Sequence, residues 1–145
     1  MLKAFVRIRC ARFLPVRMET MKNTITIEFL ENFSAAWNKH DIDALMSFMT
    51  EDCIFETAAG SHVYGNRFTG HEQVRKAFES AWTQFPDAQW LDATHFVFGD
   101  NGVSEWRFSG TDLKGVKFEA NGVDIFTFRD GKIFKKNVFR KQIIS

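Results

Sequence analysis

Apolar and polar residues alternate most regularly over residues 121–141, NGVDIFTFRDGKIFKKNVFRK, and Asp130-Gly131 interrupts the run once. That dipeptide suits a two-residue type I′ turn, so the stretch reads as a β-hairpin with Arg129 opposite Lys132. Counting outward pairs Phe128 with Ile133, Phe126 with Lys135, Asp124 with Asn137 and Gly122 with Phe139 on one face. Val123, Ile125, Thr127, Phe134, Lys136, Val138 and Arg140 take the other face. This register sets a carboxylate and an amide side by side among aromatic rings. Burying an unpartnered carboxylate is costly, so Asp124 needs a partner there or keeps its proton.

Upstream, the apolar period lengthens. Over residues 23–39, Phe29, Leu30, Phe33, Ala36 and Trp37 recur at helical spacing and form one stripe. Asp41 is placed to cap a short second helix whose Ile42, Leu45, Met46 and Met49 face inward, ending near Thr50. Residues 53–57 read as a strand and 58–68 as a Gly-containing loop with His62 and Tyr64. Thr69 and Glu72 fit a capping box for a third helix, with Val74, Ala77, Phe78, Ala81, Trp82 and Phe85 on one face and Pro86 at its end.

The rest alternates as strands. Residues 89–98 and 103–110 flank Gly99-Asp100-Asn101-Gly102, where two turns compete. An Asn101-Gly102 turn puts Phe96 and Phe98 on the face of Glu105 and Arg107. A three-residue loop, Asp100 to Gly102 with a bulge at Gly102, gathers Phe96, Phe98, Trp106 and Phe108, and is preferred because it separates the rings from His95, Glu105 and Arg107. A turn near Asp112 leads to a strand over 117–128. Three helices with one early strand, then a four-strand meander, predict an α+β roll: N-terminal helices packed on a curved, mainly antiparallel sheet. A bent sheet closed by a helix leaves a pocket between them. Trp90, Asp92, Phe96, Trp106 and Phe108 are expected to line it from the first two strands. Phe118, Phe126 and Phe139 follow from the later ones, with Trp37 and Phe55 opposite.

Seventeen Phe and four Trp against one Tyr add a rigid aromatic interior to this picture. Net charge is +1, but five of the 19 basic residues fall within residues 1–18 and none of the 18 acids does, so 14 bases face 18 acids beyond. That balance excludes a general attraction for nucleic acid. Residues 1–20 are expected to be a basic extension outside the fold: an amphipathic arm, an organelle presequence, or sequence upstream of a start at Met18 or Met21, the preferred reading. Residues 21–145 then form a single domain. No run reaches a membrane span, and Cys10 with Cys53 gives neither a disulfide framework nor a metal pattern, so a reducing, cytoplasmic setting without metal or cofactor is expected. Phosphate loops, dinucleotide fingerprints and nucleophile elbows are missing from the sequence.

In order, the helix-one stripe through Trp37, Asp52-Cys53-Ile54-Phe55, Phe68-Thr69-Gly70, the run from Ser104 to Thr111, Val123-Asp124-Ile125-Phe126 and Gly131-Lys132-Ile133 resemble the SnoaL-like, nuclear-transport-factor-2-like superfamily. The resemblance covers residues 25–142. It includes ketosteroid isomerase and polyketide cyclase relatives, and it implies a cone-shaped roll but no single activity. In cyclase members an acid of the final strands serves as general acid/base, and Asp124 is the position most similar. Many relatives of this type carry Asp where this chain has Asn137, a departure from a two-carboxylate mechanism. The Asp-Arg-Asp set of an epoxide hydrolase and a Tyr-His-Asp set for dehydration are not found.

Asp124 is therefore the candidate general base, against a structural carboxylate bonded to Asn137 or ion-paired with Lys135. Asn137 either donates to a developing oxyanion or holds Asp124 in place. Tyr64 either supplies a phenolic donor or is a lid side chain. His95 faces outward in this register. The function expected is binding of a small apolar molecule, with cofactor-free acid/base isomerisation or cyclisation of a carbonyl compound. The alternative is a non-catalytic binding or protein-interaction domain. A homodimer through the outer sheet face is the expected assembly.

Overall fold

The computed structural model describes residues 24–145; the basic extension expected over 1–20 lies outside them. Three helices, α1 (Ile27–Asn38), α2 (Ile42–Ser47) and α3 (Gly70–Gln84), precede or interrupt six strands. These are β1 (Met49–Glu56), β2 (Arg67–Thr69), β3 (Gln89–Phe98), β4 (Asn101–Thr111), β5 (Lys117–Arg129) and β6 (Lys132–Arg140). They form one sheet in the order β2-β1-β6-β5-β4-β3, antiparallel except for the parallel pair β1 and β6. The architecture is the α+β roll expected.

Local chemistry sets the ends of the helices. Thr26 caps α1, its Oγ1 accepting from the Phe29 N–H at 3.2 Å, and Asp41 caps α2 through the Ala44 N–H at 3.0 Å. Met49, expected in α2, instead opens β1 with its side chain fully buried. The capping box expected at Thr69 does not form. Its N–H donates to Gln73 Oε1 at 3.1 Å, while Glu72 pairs with Lys76 one helical turn along. β2 takes up the end of the segment expected as loop.

Leu30, Phe33 and Trp37 from α1, Leu45 and Met46 from α2, and Val74 and Phe78 from α3 bury against Cys53, Phe126, Phe128 and Ile133 of the sheet. Each fully buried side chain of this size contributes about 1.5–3 kcal/mol. This core fixes α1 and α3 over the concave face.

Three local departures from simple alternation decide which side chains face inward. Asp130 and Gly131 both have positive φ, as a type I′ turn requires, and Phe128 pairs with Ile133 as expected. Thr127 then pairs with Lys135, leaving Phe134 as an extra residue on β6. Beyond this bulge Asp124 faces Val138 and Ile125 faces Asn137, so Lys136 turns inward and Asn137 outward, the reverse of the expected faces. Between β3 and β4 the turn is Gly99-Asp100, with Phe98 opposite Asn101. That register, rather than the expected three-residue loop, sends Phe96 and Phe98 to the outer face, 52% and 59% exposed. A second bulge sets Asp92 and Ala93 against Trp106 alone, Asp92 having a φ of 54°. It keeps Trp90 inside, while the hairpin register itself turns His95 inward to bond Ser104 at 2.7 Å, correcting its outward placement.

On the outer face, Glu56 is buried, its side chain 3% exposed. Arg67 donates to it twice, at 2.9 and 2.7 Å, and Lys135 lies 3.0 Å from its other oxygen. Burial pushes the carboxyl up, but the Arg67 and Lys135 hydrogen bonds outweigh it and hold Glu56 below its ordinary 4.5. A depressed carboxyl stabilises the fold above its unfolded value and loses that contribution as pH falls through the folded one. Glu56→Gln is therefore expected to destabilise at neutral pH and to flatten the loss of stability below about pH 4.5. Urea titrations at pH 7 and pH 3.5 check this; equal pH slopes in the two proteins would contradict it.

Candidate active site

A cavity of about 390 Å³ lies between α3, the loop after β1 and the concave face of β4 and β6. Its walls are aromatic: Trp37 from α1, Phe55 from β1, Trp90 from β3, Trp106 and Phe108 from β4, all as expected from the sequence. Phe68, Ala77, Ala81, Phe85 and Val138 complete the apolar lining. The mouth is polar and exposed, with Asn66, Ser80, Gln84 and Arg140 around it.

The loop between β1 and β2 is built to bring its ends to this mouth. Thr57 and Asn66 exchange backbone and hydroxyl hydrogen bonds, and Gly65 sits at φ 74° with the Thr57 carbonyl where a Cβ would be. That crossing places Ala58, Ala59 and Asn66 at the rim. Tyr64 is carried away from it: its ring stacks on His62 and lies 4.0 Å from the Arg67 guanidinium, which bonds Glu56 on the outer face. Tyr64 is thus not a donor at the cavity.

At the cavity floor stands Lys136, its side chain 7% exposed. The ammonium donates to Asp124 Oδ1 at 2.7 Å and lies 5.1 Å from the Phe55 ring and 5.4 Å from the Trp37 ring. The other oxygen, Oδ2, accepts from the Trp106 indole N–H at 3.0 Å. Both oxygens of Asp124 thus have a donor inside the protein. Gly122 makes this clamp possible, because a Cβ there would sit 2.4 Å from the Trp106 ring.

Asp124 does not line the main cavity. With Ser34, Ser104 and Leu30 it borders a recess of about 20 Å³ that shares Trp37, Trp90, Trp106 and Lys136 with the cavity. A space of that size holds one water molecule. Trp37 brings a buried indole N–H that has no hydrogen-bond partner among the described residues.

The other expected site residues separate. Asn137, turned outward by the bulge at Phe134, pairs with Ile125 and not with Asp124. Asp92 lies on the outer side, where Arg107 donates to it at 3.0 and 3.2 Å. Phe96 and Phe139 are also on the outer face, each 52% exposed. Phe118 and Phe126 do face inward but fill core, Phe118 against Phe85 and Phe108, Phe126 against Phe33 and Phe128. Lys136 and Arg140 were missed. The signal for Lys136 was the carboxylate itself: a buried Asp124 demands a cation, and a slip of one residue in β6 supplies it. Among the described residues no three His, Cys, Asp or Glu side chains converge to hold a metal ion, and no helix is long and apolar enough to cross a membrane.

The SnoaL-like domain family matches residues 30–136. Solved structures share the fold. One, provisionally assigned as a polyketide cyclase, from Xanthomonas campestris pv. campestris, is 20% identical with a TM-score of 0.69, over 77% of this chain and 87% of that one. A protein with a ketosteroid isomerase-like fold from Catenulispora acidiphila, in complex with trimethylamine, is 18% identical with a TM-score of 0.68, over 79% and 86%. A nuclear-transport-factor-2-like protein of unknown function from Mesorhizobium loti is 25% identical with a TM-score of 0.66, over 79% and 89%. No curated protein matches the chain at comparable strength. With its match spanning most of the described fold, from α1 to the cavity lysine of β6, the chain belongs to the SnoaL-like domain family.

Proposed function

We propose that the cavity binds a small apolar carbonyl compound and that the Lys136–Asp124 pair serves its enolisation, as a step of isomerisation or aldol-type cyclisation. The observation that carries this reading is the nearly buried ammonium of Lys136 at the floor of an aromatic cavity, held 2.7 Å from Asp124. A ligand carbonyl oxygen set against Lys136 gains negative charge as its α-carbon loses a proton. The C–H electron pair becomes the new C=C bond, and the carbonyl π pair moves to oxygen. A fixed donor at that oxygen lowers the barrier by about 3–4 kcal/mol in comparable sites. The proton passes to a water in the recess and from it to Asp124, and returns to a different carbon or is replaced by a new carbon–carbon bond. Trp37, whose buried indole N–H has no partner among the described residues, lines both the cavity and the recess.

A second reading is binding without turnover. It is favoured by the engagement of both Asp124 oxygens, which leaves that carboxylate little freedom to accept a proton. Deuterium exchange separates the two. With 2-acetylnaphthalene in heavy water, proton NMR is expected to show the protein accelerating exchange at the methyl group, and Asp124→Asn losing about 100-fold of that rate. Quenching of tryptophan fluorescence by the probe with no accelerated exchange would leave only the binding role.

The outer face carries Phe96, Phe98, Ile125 and Phe139, each 41–59% exposed, and we propose that it pairs with a second copy of the chain. Analytical ultracentrifugation is expected to give a dimer that Ile125→Glu converts to monomer. A wild-type monomer at micromolar concentration would sink this assembly.

A further inference from the structure

We infer that the carbonyl compound bound here also carries a carboxylate, its flat aromatic body lying between the tryptophans and its carboxylate on Arg140 at the mouth. This rests on the reading of the cavity as a ligand site and gives that ligand a charge. The argument begins with pairing. Of the five arginines among the described residues, Arg67, Arg75, Arg107 and Arg129 each form an ion pair with an Asp or Glu. Arg140 has no acidic partner among those residues. Its guanidinium instead lies 4.9 Å from the Phe118 ring and 5.9 Å from the Phe108 ring, and Phe108 is part of the cavity wall. Stacking of this kind fixes the plane of the guanidinium fork while leaving its N–H edge to bond elsewhere.

Charge around the cavity points the same way. Its lining includes two cations, Lys136 and Arg140, and no Asp or Glu. Asp124, just behind the wall, offsets Lys136, so the uncompensated charge is that of Arg140. An arginine side chain keeps its charge in proteins. An anion that reaches the mouth therefore meets a preset bidentate donor, and Arg is suited to carboxylates in that geometry. Cavities of a few hundred Å³ hold molecules the size of one or two fused rings with substituents, and the walls here are planar aromatics that favour a flat body.

Titration of tryptophan fluorescence with 2-naphthoate and, separately, the isosteric neutral 2-naphthamide tests this, since three of the four tryptophans line the cavity. At pH 7 the carboxylate is expected to bind about tenfold or more tighter than the amide, the range of a charge-assisted hydrogen-bond pair. Arg140→Gln is expected to bring the two dissociation constants within about threefold of each other, and Arg140→Lys to restore part of the gap. Arg140 is exposed, and far-ultraviolet circular dichroism verifies that each variant is folded. Equal affinity of the wild type for both probes would overturn the charge preference and leave the binding reading standing. A preference that survives in Arg140→Gln would overturn the assignment to Arg140. Failure of both probes to bind at millimolar concentration would overturn the ligand site itself.

Discussion

Replacing Lys136 with methionine is expected to lower the folding free energy by about 3–5 kcal/mol, because it strands the Asp124 carboxylate in the interior with one remaining donor. The two side chains are 7% and 9% exposed, so bulk solvent cannot take over the lost bond. Domains of this size are stable by about 5–15 kcal/mol, and the loss is a large part of that margin. The buried pair need not itself be a net source of stability, since desolvation of two charges offsets much of their attraction. Adding Asp124→Asn to the lysine variant removes the stranded charge while keeping an acceptor for the Trp106 indole. The double variant is expected to recover at least about half of the loss, a coupling of the size found for residues in one network. Guanidinium unfolding of the four proteins gives the cycle. A single-variant cost below about 1 kcal/mol would mean that the pair is solvated and its charges worth no more than a surface bridge.

The second large effect concerns a residue with no side chain. In Gly122→Ala the new Cβ would meet the Trp106 ring at 2.4 Å and the Phe139 carbonyl oxygen at 2.7 Å. β5 cannot retreat from the carbonyl without losing its pairing to β6, and Trp106 cannot tilt away without releasing Asp124. Overpacking of this kind costs about 1–3 kcal/mol, and here it also reshapes the cavity floor. Loss of stability is expected together with a shift in tryptophan emission. Trp106→Phe in the same chain, which removes the outer edge of the indole, is expected to return part of the stability. Gly122→Ala with unchanged stability and emission would show that the ring does not lie over the glycine.

How much of this was legible in the sequence depends on whether a feature is local. The stripe from Phe29 to Trp37, the Asp41 cap and the Asp130-Gly131 turn are decided by neighbours in the chain, and each is found where the pattern placed it. So are the cavity walls Trp37, Phe55, Trp90, Trp106 and Phe108. The misplacements of Phe96, Asp92, His95, Asn137 and Phe139 share one cause. Side chains in a strand alternate, so a single extra residue exchanges the two faces for everything beyond it. The bulge at Phe134 exchanged Asn137 for Lys136, and a Gly99-Asp100 turn one residue shorter than the expected loop exchanged Phe96 for His95 and Val97. Neither that bulge nor the one at Asp92 is announced by glycine. Asp92 adopts positive φ as a non-glycine residue, and Phe134 lies under the Arg129 guanidinium at 4.3 Å, a contact no alternation pattern contains. What the sequence did hold was the electrostatic demand of Asp124. Of the two adjacent lysines, alternation favours Lys135 as its partner, whereas in the fold Lys135 pairs with Glu56 and Lys136 with Asp124.

The site as described turns on that one residue of register in β6, and NMR reads it without any ligand. In a nuclear Overhauser spectrum of the labelled protein, Lys136 side-chain protons are expected to show cross-peaks to the Trp37 and Phe55 rings, and the Asn137 side-chain amide to Ile125. Cross-peaks from the Asn137 amide to the Trp106 indole, with Lys136 showing none to either ring, would contradict the clamp on Asp124 and the cavity chemistry built on it.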